Sequence, residues 1–118
     1  MHIKVNTSLT LLAIGFAQNA MACDKPEDIS IPDGSQASEQ EMASAGKAYH
    51  EFMIGMQRYQ VCLENAANQD RLSATTKSKA DIKAEEDKYA SLHNAASASM
   101  KKTTESFDDA VAAYKARQ

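Results

Sequence analysis

The stretch that decides the fold runs from Ser38 to Ala66, SEQEMASAGKAYHEFMIGMQRYQVCLENA. Its apolar residues are Met42, Ala45, Tyr49, Phe52, Met56, Tyr59, Leu63 and Ala66, separated by alternating steps of three and four. That spacing keeps them on one stripe of an α-helix, and a stripe sustained over successive heptads marks a helix that packs lengthwise on another helix. The stretch opens on Ser38-Glu39-Gln40-Glu41, a capping box in which the serine and the glutamate three residues later satisfy free amide donors reciprocally.

Moving toward the C-terminus, Asn68, Gln69, Asp70 and Ser73 predict that the first helix fades, with no Gly or Pro to mark the turn. Thr75 or Thr76 is the expected cap of a second helix, which carries a stripe of Ile82, Glu86, Tyr89, Leu92, Ala96, Met100, Thr103, Phe107, Ala110 and Tyr114. Two consecutive steps of four around Ala96 interrupt its heptad spacing. The charged remainder, from Lys83 to Asp108, reads as a solvated face. The expected fold is all-α: an antiparallel two-helix hairpin over residues 38–118, with helices at about 38–70 and 76–116. A turn near Ala74 would set Tyr59 against Tyr89, Phe52 against Ala96, Tyr49 against Met100 and Met42 against Phe107.

Toward the N-terminus, residues 23–37 predict an extended arm. Pro26 and Pro32 disfavour helix at the residues before them, and Pro32-Asp33-Gly34 is a turn signal. Ile29 and Ile31 are the large apolar residues of the arm. Residues 1–22 read as a cleaved signal peptide. Met1 to Lys4 is a short basic start, Val5 to Phe16 an apolar run, and Ala20-Met21-Ala22 offers small residues for signal peptidase. The apolar run is shorter than the roughly 20 residues a bilayer span needs. The expected location is therefore the periplasm or the medium.

Export changes how Cys23 and Cys62, the two cysteines, are read. In an oxidising compartment they predict a disulfide. The alternative makes Cys23 the lipidated first residue of a lipoprotein, although Ala20-Met21-Ala22-Cys23 matches a lipobox only loosely. From Ser38 to Cys62 a helix covers roughly 36 Å. The 15 residues from Cys23 to Ser38 reach about 50 Å when extended. The arm therefore reaches Cys62 by running back along the first helix, which would lay Ile29 and Ile31 in the groove of the hairpin.

Cys-x-Lys-Pro at 23–26, Pro-Asp-Gly at 32–34, Ala37-Ser38, Met42, Tyr59 with Cys62-Leu63, and Phe107 with Tyr114-Lys115-Ala116 form a pattern spanning most of the chain after residue 22. In it the chain resembles a group of small uncharacterised exported proteins of Gram-negative bacteria. The resemblance implies a periplasmic helical protein and supplies no catalytic residues.

Composition excludes several classes. The 118 residues allow one domain and carry a formal charge of −3. Lys4 is the only charge before residue 23, so the remainder has 12 basic and 16 acidic residues, a net −4. Such a chain has no electrostatic footprint for nucleic acid. After residue 22 no run is apolar enough to span a membrane. There is no Gly-rich phosphate loop, no serine-nucleophile motif and no Cys-x-x-Cys, so neither an enzyme nor a cofactor is expected. His50, Met53 and Met56 are the candidate metal ligands, soft donors suited to Cu(I), but Met56 lies on the apolar stripe, where a core role competes. His93 sits one step off the second stripe and would meet the first helix near Met56. The expected work is that of an interaction or structural module, acting on a protein partner or as a homodimer. A lipoprotein anchored through Cys23 and a small metal-binding protein are the alternatives.

Overall fold

The computed structural model describes residues 23–118. The signal peptide expected at 1–22 lies outside them. Two helices form an antiparallel hairpin: α1, Glu39–Leu72, and α2, Lys79–Lys115. Among the described residues there are no strands.

Ser38 caps α1, its Oγ accepting from the Glu41 N–H at 3.1 Å, with Glu39 and Glu41 placed where the helix dipole favours negative charge. The helix runs through the Asn68–Asp70 cluster and stops at Leu72, two residues beyond the expected 70. Ser73 ends it by donating both its N–H (3.0 Å) and its hydroxyl (2.9 Å) to the Gln69 carbonyl. The cap of α2 is Ser78, whose Oγ accepts from the Asp81 N–H at 3.2 Å, rather than Thr75 or Thr76. The reason is the residue three positions on. Ser78 puts Asp81 into the first turn, whereas Thr76 would put Lys79 there, against the dipole. Helix α2 therefore begins at Lys79, three residues later than expected.

The buried seam is asymmetric. Helix α1 contributes Ala45, Phe52, Met56, Tyr59, Leu63 and Ala66; α2 contributes only Ala96 and Ala110. At the fully buried positions large side chains of α1 meet alanines of α2, and the larger residues of α2, Tyr89, Met100 and Phe107, sit half-buried at the edges. Met56 is fully enclosed at the centre of the cluster formed with Phe52, Tyr59, Leu63 and Ala96. Met42 and Tyr49, expected on the seam, are half-buried. Glu86 is displaced from the expected stripe of α2. It is exposed and faces Arg71 across the hairpin at 3.8 Å. Leu92 is 36% exposed at the edge of the seam.

The register differs from the expected one by a heptad. Phe107 stacks on Tyr49, ring centroids 4.6 Å apart, instead of meeting Met42. Gly46 lies beside the Phe107 ring, 3.7 Å from where its Cβ would sit. Tyr89 meets Asp70 rather than Tyr59, through a 2.8 Å hydrogen bond from its hydroxyl. Moving the hairpin turn toward the C-terminus accounts for the direction of the shift.

The arm is the third layer. Cys23 and Cys62 form a disulfide, with Cα atoms 5.7 Å apart. From there the arm runs antiparallel to α1. Pro26 lies against Gly55, and Ile29 packs on the central cluster. Gly34 reaches the backbone of Ala110 on α2, and Ala37 is buried just before α1 begins.

Candidate functional site

The arm divides the molecule into two differently built faces, and the arm face carries the candidate site. Here the chain is fastened twice. At one end the disulfide joins Cys23 to Cys62, in the C-terminal half of α1. At the other, Asp33 organises a tight turn. Its Oδ1 accepts from the Ser35 N–H at 2.9 Å and from the Ser35 hydroxyl at 2.7 Å, and these bonds hold its carboxyl below the ordinary value. The turn presses Gly34 onto α2 so closely that a Cβ there would overlap the Ala110 carbonyl. Arg117, just past the end of α2, then donates Nη1 to the carbonyls of Gly34 (3.1 Å) and Ala37 (2.6 Å). The same guanidinium lies 5.6 Å from the centroid of the Tyr114 ring, within cation–π range.

Between these fastenings the arm is held differently. Among the described residues, the backbone of 24–32 makes no hydrogen bond. Side chains alternate instead: Ile29 and Ile31 turn inward while Ser30 faces solvent. An open groove follows the arm on the α2 side, lined by Asp28, Ile29, Ile31, Ser99, Lys102 and Thr103 among others. A second hollow adjoins the disulfide itself, lined by Asp24, Lys25, Pro26, Arg58, Tyr59 and Cys62.

The opposite face has no third layer and is laced by polar ties between the helices. Tyr49 and Thr104 share a hydrogen bond of 2.8 Å between their hydroxyls. Gln60 donates to the His93 carbonyl (3.1 Å) and to the Ser97 hydroxyl (2.7 Å). His93 Nε2 lies 3.3 Å from Glu64, so this histidine meets α1 below Met56, near Gln60 and Glu64. The bond from Tyr89 to Asp70, aided by partial burial, raises the phenol above its ordinary value, because the donated proton is the one it would lose.

The three candidate metal ligands do not converge. Met56 is enclosed in the core, Met53 packs on it with its sulfur 4.0 Å from the Thr104 hydroxyl, and His50 is exposed. Among the described residues no group of three or more His, Cys, Asp or Glu side chains is placed to hold a metal ion. Among the described residues no charged side chain is buried, and Tyr59 is the one buried residue that bears a hydroxyl. No helix among the described residues is long and apolar enough to cross a membrane.

Residues that sequence reasoning did not single out include Arg117, Gly34 as a contact rather than a turn former, Gln60 and Thr104. For Gly34 the Pro-Asp-Gly signal located the turn but not what the turn presses on. Arg117 had no signal, being a lone basic residue near a chain end. Comparison with known proteins finds no family, no characterised protein and no solved structure that matches the chain.

Proposed function

We propose that the chain is a small exported interaction module, a helical hairpin completed by a disulfide-fastened arm, which works through its surface in the periplasm or the medium and not through catalysis. The observation that carries this reading is the bridge at Cys23. Cys23 directly follows the Ala20-Met21-Ala22 processing signal, and disulfides persist in oxidising compartments. A cysteine engaged through its sulfur to Cys62 has no thiol left for a lipid, which favours the soluble route over the lipoprotein. The resemblance to small exported proteins of Gram-negative bacteria agrees with it. So does the core, in which no charged side chain is buried among the described residues, whereas catalysis draws on charged groups held away from water.

Intact mass and N-terminal sequencing of the exported protein test the reading. The expected product begins at Cys23 and weighs two hydrogens less than its reduced chain. Acyl mass on Cys23 would establish the lipoprotein instead, and an uncleaved product retained in the cytoplasm would overturn export.

A further inference from the structure

We infer that the Cys23–Cys62 bridge is a dithiol-sensitive latch: reducing it releases the N-terminal part of the arm from the groove while the hairpin and the Arg117 clasp stay in place. The inference concerns the isolated protein and does not depend on where the protein resides.

Three observations carry it. The first is the separation of the two fastenings. The bridge holds the arm at Cys23, whereas Gly34 and Ala37 are held independently by Ala110 and Arg117. Cutting the first leaves the second as a hinge. The second is what lies between them. With no backbone hydrogen bond over residues 24–32 among the described residues, only side-chain packing by Pro26, Ile29 and Ile31 opposes the regained freedom of that segment. The third is access. Both cysteines are only half-buried, and Cys62 lines an open hollow together with Lys25 and Arg58, with Asp24 the one acid there. Two cations against one anion stabilise a departing thiolate.

The chemistry is a thiol–disulfide exchange. A thiolate of an external dithiol attacks Cys23 Sγ, the bond between the two cysteine sulfurs breaks, and Cys62 leaves as a thiolate beside Arg58. The second sulfur of the dithiol then displaces Cys23 from the mixed disulfide. The dithiol ends as a disulfide, and the chain has gained two electrons and two protons. Release uncovers the side of the central cluster on which Ile29 had packed.

The test treats the oxidised protein with millimolar dithiothreitol and no denaturant. It follows thiol appearance, far-UV circular dichroism, and NMR contacts of Ile29 with the core and of Tyr49 with Phe107. The expected result is complete reduction with helix content and the Tyr49–Phe107 contact unchanged, loss of the Ile29 contacts, and their return on reoxidation. Arg58→Glu should slow reduction several-fold, because a carboxylate in place of the guanidinium disfavours the departing thiolate. Reduction that proceeds only as the helices melt would overturn the latch. So would Ile29 contacts that survive reduction, because the arm would then be held without the bridge. An Arg58→Glu rate equal to that of the parent would remove the charge assistance and with it the case for sensitivity to dithiols.

Discussion

Three glycines distinguish the contacts that place the arm from those that merely allow them. Gly34→Ala adds one methyl group at a point where the Ala110 carbonyl already occupies the space. That carbonyl belongs to the backbone of α2, near its C-terminal end, and the arm is the part that gives way. Lifting the turn separates Gly34 and Ala37 from Arg117, and both hydrogen bonds are lost. Bonds to a charged donor are worth about 1.5–3 kcal/mol each, and partial exposure places these two at or below the low end, about 2–3 kcal/mol together. For a domain of this size that lowers the thermal midpoint by about 10–20 °C. Gly46→Ala should do the opposite. Its Cβ would sit 3.7 Å from the tip of the Phe107 ring, an ordinary contact, inside α1. Alanine there gains about 0.5–1 kcal/mol of helix propensity and raises the midpoint by a few degrees. Gly55→Ala falls between, because the helix gain is offset by a Cβ 2.8 Å from Pro26 Cγ, which must shift. Thermal melts followed at 222 nm, with urea titrations to check that the slope is unchanged, measure all three. A Gly34→Ala midpoint equal to that of the parent would refute the close approach of the turn to α2. A destabilised Gly46→Ala would refute the placement of Phe107.

Removing the bridge by Cys62→Ser should lower the midpoint by more than 5 °C. The chain between the cysteines, 39 residues apart, sets a ceiling of about 4 kcal/mol for loop closure, and freedom regained by a released arm gives part of that back. An unchanged midpoint would show that the bridge contributes nothing to stability. Arg117→Ala should cost about 2 kcal/mol and, combined with Gly34→Ala, add almost nothing further, since both remove the same two bonds. Full additivity in the double-mutant cycle would mean that the turn and the arginine are not coupled. Ser78→Ala should cost about 1 kcal/mol and Thr76→Ala no more than a few tenths, reversing which residue caps α2 if the order is inverted.

Periodicity made the hairpin legible. The alternating steps from Met42 to Ala66 identify the face of α1 that is buried, because a helix can bury only one stripe along its length. The course of the arm was legible from distance alone, since 15 residues must run largely extended along α1 to join Cys23 to a residue so far along it. The turn was less legible, because Thr75, Thr76 and Ser78 are all competent caps and the choice depends on the small dipole preference for Asp81 over Lys79. The arm's second fastening was not legible. A contact between Gly34 and Ala110, or between Arg117 and two carbonyls, leaves no trace in composition or spacing, because its partners are more than 70 positions apart and the atoms that meet are mostly backbone.

The polar ties on the face away from the arm explain how the hairpin holds its register when its seam does not dictate one. A heptad stripe looks nearly the same after a slide of seven residues, and the small residues of α2 accept large neighbours at several positions. The ties do not repeat. Tyr49 has Thr104 for its hydroxyl and Phe107 for its ring only in the register observed; slid by a heptad it would face Met100, which offers neither. Tyr89 would exchange the carboxylate of Asp70 for the apolar side chain of Leu63, which accepts no hydrogen bond. Gln60, with one amide reaching both the His93 carbonyl and the Ser97 hydroxyl, would lose both. Each bond lies at partly exposed positions and adds little net stability, since water competes for the same groups. Together they separate two registers that hydrophobic burial alone would leave close in free energy, so the apolar seam supplies cohesion and the polar face supplies uniqueness.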